Sequence, residues 1–486
     1  MTTHNVLPPY EGFDGQFING TWQAGSAGRV LKDTNPYDGT LLTEIAMADQ
    51  GDLDRAYEAA RRAQRDWALT MPKERAAIFH RALANLAGRK EEIVSWIIRE
   101  SGSTRMKATA EYEAIVAGMA EAVSLPYMAH GSIVPVDRAG KEARVYRKPV
   151  GVIGVISPWN FPLHLSNRSV APAIALGNAV VLKPASDTPV TGGLLLAKIY
   201  EEAGLPAGVL NVVIGAGSEI GDAFCAHPVP RIISFTGSTE VGQRIARTAA
   251  GSATLKKLGL ELGGNAPLII LDDANMGKAV EAALVGRFLH CGQICMSTNR
   301  IIVEDGIYDA FLEAYCAAVE TIKVGDPNAP DTMVGPLCNA SQVQSVTGLI
   351  SSGVQQGFEL RVSGEVDGHI VPPHVFVGVT NGSRLAQSEI FGPVAPVIRA
   401  KDEAEALRFA NDTEYGLSSA IISEDEGRAM RVAQGIEAGM THINDITIHD
   451  YPHLMFGGEK NSGLGRFNGH WIVEEFTTDH LVTIQR

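Results

Sequence analysis

Val150-Gly-Val-Ile-Gly-Val-Ile-Ser-Pro-Trp-Asn-Phe-Pro162 runs apolar from Val150 to Ser157 and then breaks at two prolines. A run with no polar alternation has no wet face, so it reads as a strand covered on both sides, the pattern of a parallel sheet. Similar runs follow at Ala179 to Leu182, Leu210 to Ile214 and Ile232 to Phe235, each separated from the last by a helical segment. Strands alternating with helices imply a parallel α/β sheet with right-handed crossovers. A second alternating region extends from Pro267 to about Asn444. Its strands are Pro267 to Leu271, Arg300 to Val303 and Val394 to Arg399, its helices Met276 to His290 and Ile307 to Ile322, and Ile443 closes it.

Upstream, an Ala-, Arg- and Glu-rich stretch from about Asp52 to Glu100 places Ala76, His80, Leu83 and Leu86 at three- and four-residue spacing, as on an amphipathic helix. A second helix covers Glu111 to Met128. Gly131 to Lys148 and Thr477 to Arg486 alternate charged and apolar residues and read as strands that leave the main body, suited to pair with a partner subunit. No repeat of fixed period and no low-complexity tract interrupts the chain.

The length of 486 residues suggests about three domains. Lys and Arg number 41 against 55 Asp and Glu, a net charge of −14. That argues against a nucleic-acid partner, which selects a basic face, and against an electrostatic anchor on anionic lipid. Met1 to Phe17 lacks a basic start followed by an apolar core, so no secretory leader is expected, and no apolar run is long enough to span a membrane. Five cysteines in so long a chain read as reduced thiols of a cytoplasmic protein, not a disulfide framework.

Gly292-Gln293-Ile294-Cys295 follows the helix ending near His290. A thiol where a helix gives way to a turn can be exposed and lowered in pKa, as a nucleophile requires; a lone cysteine is more often a small core residue. Glu261-Leu-Gly-Gly-Asn265 lies between two apolar strands, where glycines let backbone approach a ligand; alone, Glu261 equally suits a solvated loop. Pro158-Trp-Asn-Phe-Pro162 leaves the strand end at which open α/β folds build sites, and Asn160 can donate an amide N–H to an oxyanion or simply shape a turn. Lys183-Pro-Ala-Ser186 also follows a strand, and Phe235-Thr-Gly-Ser-Thr-Glu-Val-Gly242 opens a helix whose free N–H groups suit a pyrophosphate. Gly215-x-Gly217-x-x-x-Gly221 misses the dinucleotide fingerprint by one residue.

Taken in order, and continued by Glu389-Ile-Phe-Gly-Pro393, Phe456-Gly-Gly458 and Ser462-Gly463, these motifs resemble the NAD(P)-dependent aldehyde dehydrogenase superfamily along essentially the whole chain. The resemblance implies a Rossmann-type cofactor domain (1–128 and 149–260), a related α/β catalytic domain (261–454) and a small β oligomerisation extension (129–148 and 455–486). It implies Cys295 as the nucleophile, Glu261 as the base that activates water, and Asn160 with the Cys295 N–H as the oxyanion site. Cofactor contacts fall on Ile156, Trp159, Lys183, Ser186, Gly217, Gly221, Thr236, Ser238, Leu262, Glu389 and Phe391, and no metal ligand is implied. The cofactor is NAD, and Ser186, where NAD-selective members often carry glutamate, admits NADP. A small aldehyde is the expected partner, in a homodimer or homotetramer.

His164 to Arg168 and Asn444 to Asp450 look most like the benzaldehyde and vanillin dehydrogenase branch. An aromatic aldehyde is therefore expected, with Phe161, Arg168 and Phe456 near the substrate; Arg168 fits a structural ion pair equally well. Cys291, four residues before Cys295, raises a reversible oxidised pairing, although a small residue replacing a polar one is the plainer account. Phe467 follows Arg466 where many members have a second glutamate, so Glu261 stands as the one base. An aliphatic substrate is the nearest alternative. CoA-acylating members generally lack the glutamate, and non-catalytic relatives usually lose the cysteine or the glutamate; both residues are present.

Overall fold

In the computed structural model of the chain, which describes residues 7–486, Val152–Ile156 lies in the middle of an eight-stranded sheet. Across the sheet the strands are Thr21–Gln23, Gln16–Ile18, Leu210–Val212, Ala179–Lys183, Val152–Ile156, Ile232–Thr236, Lys257–Glu261 and Gly463–Leu464. The five from Leu210–Val212 to Lys257–Glu261 are parallel, and antiparallel strands close both edges. Ala179–Lys183 and Ile232–Thr236 are buried at every position, as expected where helices cover both faces. From Val152–Ile156 the chain steps outward to Leu210–Val212, then returns to the opposite side at Ile232–Thr236. The order therefore reverses between Val152–Ile156 and Ile232–Thr236, and their carboxyl ends open the crevice at which such sheets bind ligands.

The second region forms a seven-stranded sheet in the order Glu359–Val362, His374–Val377, Val394–Ala400, Thr298–Glu304, Ala266–Ile270, Ala420–Ile422 and His442–Ile443. All neighbours are parallel except the first pair. This is the Rossmann-type sheet plus related α/β sheet that the strand pattern and the resemblance imply.

Three local readings change. The stretch from Asp52 to Glu100 is three helices, Gln50–Trp67, Pro72–Ala87 and Lys90–Ser101. Pro72 sits in the first turn of the second, where its missing N–H costs nothing, and Gly88 caps its end. Glu111 to Met128 likewise divides into Arg105–Ala122 and Leu125–Met128. The charged strands at Gly131 to Lys148 and Thr477 to Arg486 pair with each other: Thr477–Gln485 lies antiparallel to Lys141–Pro149 over nine residue pairs, and Ser132–Val134 adds a third strand. No helix among the described residues is long and apolar enough to cross a membrane. The reading of the first segment rested on Met1 to Phe17, of which residues 1–6 lie outside the described residues.

Candidate active site

The loops leaving Val152–Ile156, Ile232–Thr236 and Lys257–Glu261 meet the loop before Thr298–Glu304 around a cavity of about 270 Å³. Trp159, Asn160, Thr236, Ser238, Glu261, Leu262 and Cys295 border it from these loops, and Glu389 and Phe391 close it from the second sheet. Residues spread over more than 230 positions thus converge at the switch point.

The cysteine loop is built from strained backbone. The helix expected to reach His290 ends at Phe288, and His290, Cys291 and Gly292 adopt φ of 49°, 56° and 71° in succession. The left-handed region is costly for His and Cys, so the surroundings must impose it. Arg287, fully buried, donates Nη1 to Thr298 O at 2.9 Å and Nη2 to Gly292 O at 3.2 Å and to Gly392 O. A Cβ on Gly292 would lie 2.2 Å from Arg287 Nη2, so only glycine lets the guanidinium clamp the turn. The Glu261-Leu-Gly-Gly segment serves the same loop. A Cβ on Gly264 would stand 2.1 Å from Cys295 O, and one on Gly263 would stand 2.5 Å from the Glu389 carboxylate. That carboxylate accepts from Gly264 N at 2.9 Å.

Burial dominates the electrostatics. It pushes the Cys295 thiol up to about 12; Arg168 opposes this, and Glu389, Glu261 and Asp450 reinforce it. The lowered thiol expected from the sequence is therefore not found, because desolvation outweighs the Arg168 charge. Burial also lifts Glu261 to about 8 against the Arg168 charge, and Glu389 to about 7. Glu261 is 2% exposed, and neither carboxylate oxygen has a hydrogen-bond partner among the described residues. A carboxyl near 8 suits proton abstraction close to neutral pH. Asn160 Nδ2 donates one N–H to Gln293 O at 2.9 Å, which fixes the amide plane and leaves its second N–H free for an oxyanion.

Other expected residues lie outside this cavity. Lys183 is buried with Nζ on Pro184 O at 3.3 Å, and burial brings it down to about 8. Gly217 and Gly221 lie on the helix Gly217–Ala226 with open space where a Cβ would stand. Ile156 ends its strand half-buried. Ser186 borders a different hollow, with Asp33, Asp187 and His369. Phe161 is enclosed between His290, its ring 5.7 Å away edge-on, and Lys107 Nζ at 4.1 Å. Arg168 turns to Asp450, Nη1 to Oδ2 at 3.3 Å, as a structural pair would, and covers the Phe456 ring. Phe456 borders a hollow of about 150 Å³ with His442, His449 and Tyr451. Cys291 points its Sγ at Gly335 O, 3.3 Å away, inside the second-sheet core. Cys295 packs on the other core, so the geometry gives the oxidised pairing no support.

Gln342 and Ser345 also line the cavity, and Gln342 Nε2 holds Phe391 O at 2.8 Å; no sequence signal marked either residue. Residues 22–482 match the profile described as the aldehyde dehydrogenase family. The chain belongs to that family. This aldehyde dehydrogenase is 53% identical to a vanillin dehydrogenase of Corynebacterium glutamicum over 469 residues, 96% of this chain and 97% of that one. It is 47% identical to a benzaldehyde dehydrogenase of Bacillus subtilis over 476 residues, 98% of each. The crystal structure of an NAD-dependent benzaldehyde dehydrogenase from Corynebacterium glutamicum superposes with a TM-score of 0.91 at 49% identity, covering 98% of this chain and 97% of that one.

Proposed function

We propose that this aldehyde dehydrogenase oxidises aromatic aldehydes of the benzaldehyde or vanillin type to carboxylic acids with NAD. The observation that carries the chemistry is the joint placement of Cys295, Glu261 and Asn160 around one cavity at the switch point. Two observations support an aromatic substrate. Cys295, Phe161, Met440 and Ile448 all pack, partly buried, against the core cluster that contains Phe456, and relatives about half identical over nearly their full length are a vanillin and a benzaldehyde dehydrogenase.

The Cys295 thiol gives its proton to solvent, the thiolate attacks the aldehyde carbon, and the free Asn160 N–H and the Cys295 N–H receive the oxyanion of the thiohemiacetal. Nicotinamide, when bound, would supply the hydride acceptor; Cys295 holds the oxidised acyl group as a thioester. Glu261 takes a proton from water, the hydroxide adds to the thioester carbon, and the acid leaves as the thiolate returns.

The residues present fit the cofactor. Ser238 precedes the helix Thr239–Ala250 with its hydroxyl unused in capping, a site for pyrophosphate oxygens. Lys183 is a buried cation with no carboxylate partner among the described residues, suited to ribose hydroxyls. Trp159 meets Phe391 edge-on at 5.5 Å beside Glu389, which we assign to the nicotinamide ribose. Ser186 presents no negative charge, so NADP is a poorer but admitted substitute. We assign the two large sheets to cofactor binding and catalysis. The three-stranded sheet, with Ile133 at 74% and Leu481 at 60% exposure, is assigned to assembly as a dimer or tetramer. Five free cysteines fit a cytoplasmic setting.

The test is kcat/KM for benzaldehyde, vanillin, cinnamaldehyde, hexanal and betaine aldehyde, each with NAD and NADP. The aromatic aldehydes lead in the expected result; a preference of about tenfold or more for hexanal, roughly 1.4 kcal/mol in transition-state binding, overturns the reading.

A further inference from the structure

Arg168 leaves the middle of the helix Pro162–Ala175, and only 3% of its side chain is exposed. A purely structural ion pair would spend the guanidinium on its carboxylate. Here Nη1 reaches Asp450 Oδ2, while Nη2 points the other way, to Thr236 Oγ1 at 3.4 Å, and Nε is buried with no partner. Thr236 pairs in register with Glu261 on the adjoining parallel strand, so the two side chains share a face of the sheet. Both Glu261 oxygens are also buried and unpartnered. A cation with a spare N–H and a carboxylate with two idle oxygens therefore flank the same threonine. Arg168 is absent from the cavity lining, and Phe456 covers its face with the ring centre 4.3 Å from Cζ, which leaves no room for a direct substrate contact there.

We propose that Arg168 is a positioning residue whose charge favours the ionised forms of both Cys295 and Glu261, with Asp450 setting how much of that charge reaches them. The inference rests on the roles given above to Cys295 and Glu261. In a poorly solvated interior a single charge acts on several groups at once, because little water screens it. Arg168 is the foremost charge opposing burial at both Cys295 and Glu261. The other charges acting on the pair are Asp450 on both, Arg466 on Glu261, and Glu389 and Glu261 on Cys295. Asp450 is itself shared. It accepts from His164 Nε2 at 2.9 Å and Asn468 Nδ2 at 2.7 Å as well as from Arg168. Its negative charge is thus divided among three donors and only partly cancels the guanidinium.

The experiment follows alkylation of Cys295 by iodoacetamide against pH, read by mass spectrometry of the Cys295 peptide, in the full-length enzyme without aldehyde. The kcat profile is measured beside it. Arg168→Met is expected to move the alkylation midpoint up by about one pH unit, and the rising limb of kcat with it. Arg168→Lys keeps both near the parent. Asp450→Asn, which preserves the hydrogen-bonding shape, moves both down. Unchanged profiles in Arg168→Met, with KM alone altered, overturn the proposal in favour of a substrate contact. Shifts in the same direction for Arg168→Met and Asp450→Asn overturn it too, as does Arg168→Lys behaving like Arg168→Met. If Arg168→Met folds poorly, the downward shift of Asp450→Asn decides alone. Alkylation needs no aldehyde, so failure of the aromatic reading leaves this result intact, and retained activity in Cys295→Ala would sink the earlier reading without touching the thiol profile.

Discussion

Gly264 lies against the backbone of Cys295: a Cβ at position 264 would stand 2.1 Å from the Cys295 carbonyl oxygen. Backbone cannot retreat from such a contact as a flexible side-chain end can, so Gly264→Ala must displace the cysteine loop. The expected result is a loss of about 1–3 kcal/mol in stability from overpacking. Activity should fall much further than stability, because the thiol leaves its alignment with Asn160. Denaturant titration and kcat on benzaldehyde measure the two, and a variant with parental kcat would show that the contact does not set the loop.

Gly217 and Gly221 form the contrasting case. Neither meets any atom within 4 Å of an added Cβ, and neither has positive φ. Gly→Ala within the helix Gly217–Ala226 should leave stability unchanged or raise it by about 0.5–1 kcal/mol for Gly221. If this open face receives the cofactor, the methyl groups should raise KM for NAD several-fold with little change in kcat. Parental KM in the double variant would place the cofactor elsewhere.

These cases mark what a sequence can and cannot display. Val150 to Ser157 was legible because a strand buried on both faces must be apolar throughout, and the motifs at Trp159, Lys183 and Thr236 were legible because each leaves such a strand; the Cys295 motif follows a helix and was legible only through the ordered resemblance. The left-handed turn at His290 and Cys291 was not, since neither residue favours positive φ. It is imposed by Arg287 and by Gly392, about a hundred positions away. The state of Cys295 failed for a related reason: its pKa depends on burial weighed against the Arg168 charge, which only the fold sets. Arg168 pairing with Asp450 across 282 residues is invisible to spacing.

The acid–base assignment gives a pH prediction with a definite sign. Glu261 must be ionised to take a proton from water, and burial holds it at about 8. Thioester hydrolysis should therefore rise with pH through that region and level off above it. Glu261→Gln removes that limb, giving one burst of NADH per site followed by turnover slowed by about 10²–10⁴-fold. Cys295→Ala gives no burst, with activity down by about 10⁴-fold or more. Stopped-flow absorbance separates the two failures. A burst in Cys295→Ala would exclude the thiol as nucleophile.

The three-stranded sheet leaves backbone and apolar side chains exposed. Thr477–Gln485 is one of its two outer strands, paired on one side with Lys141–Pro149, and its other edge is unpaired among the described residues. Ile133 and Val482 lie side by side across Arg144, on one face, with exposures of 74% and 36%. A long edge strand left in water, with Leu481 and Val482 exposed on it, invites pairing with another chain, and proteins that keep such an edge usually cover it. Assembly through this sheet predicts a dimer or tetramer by light scattering, and a shift toward monomer in Ile133→Glu with Val482→Glu. The substituted residues lie far along the chain from Cys295, so the monomer should keep its fold by circular dichroism. An unchanged mass in the double variant would mean that the sheet does not hold the subunits together.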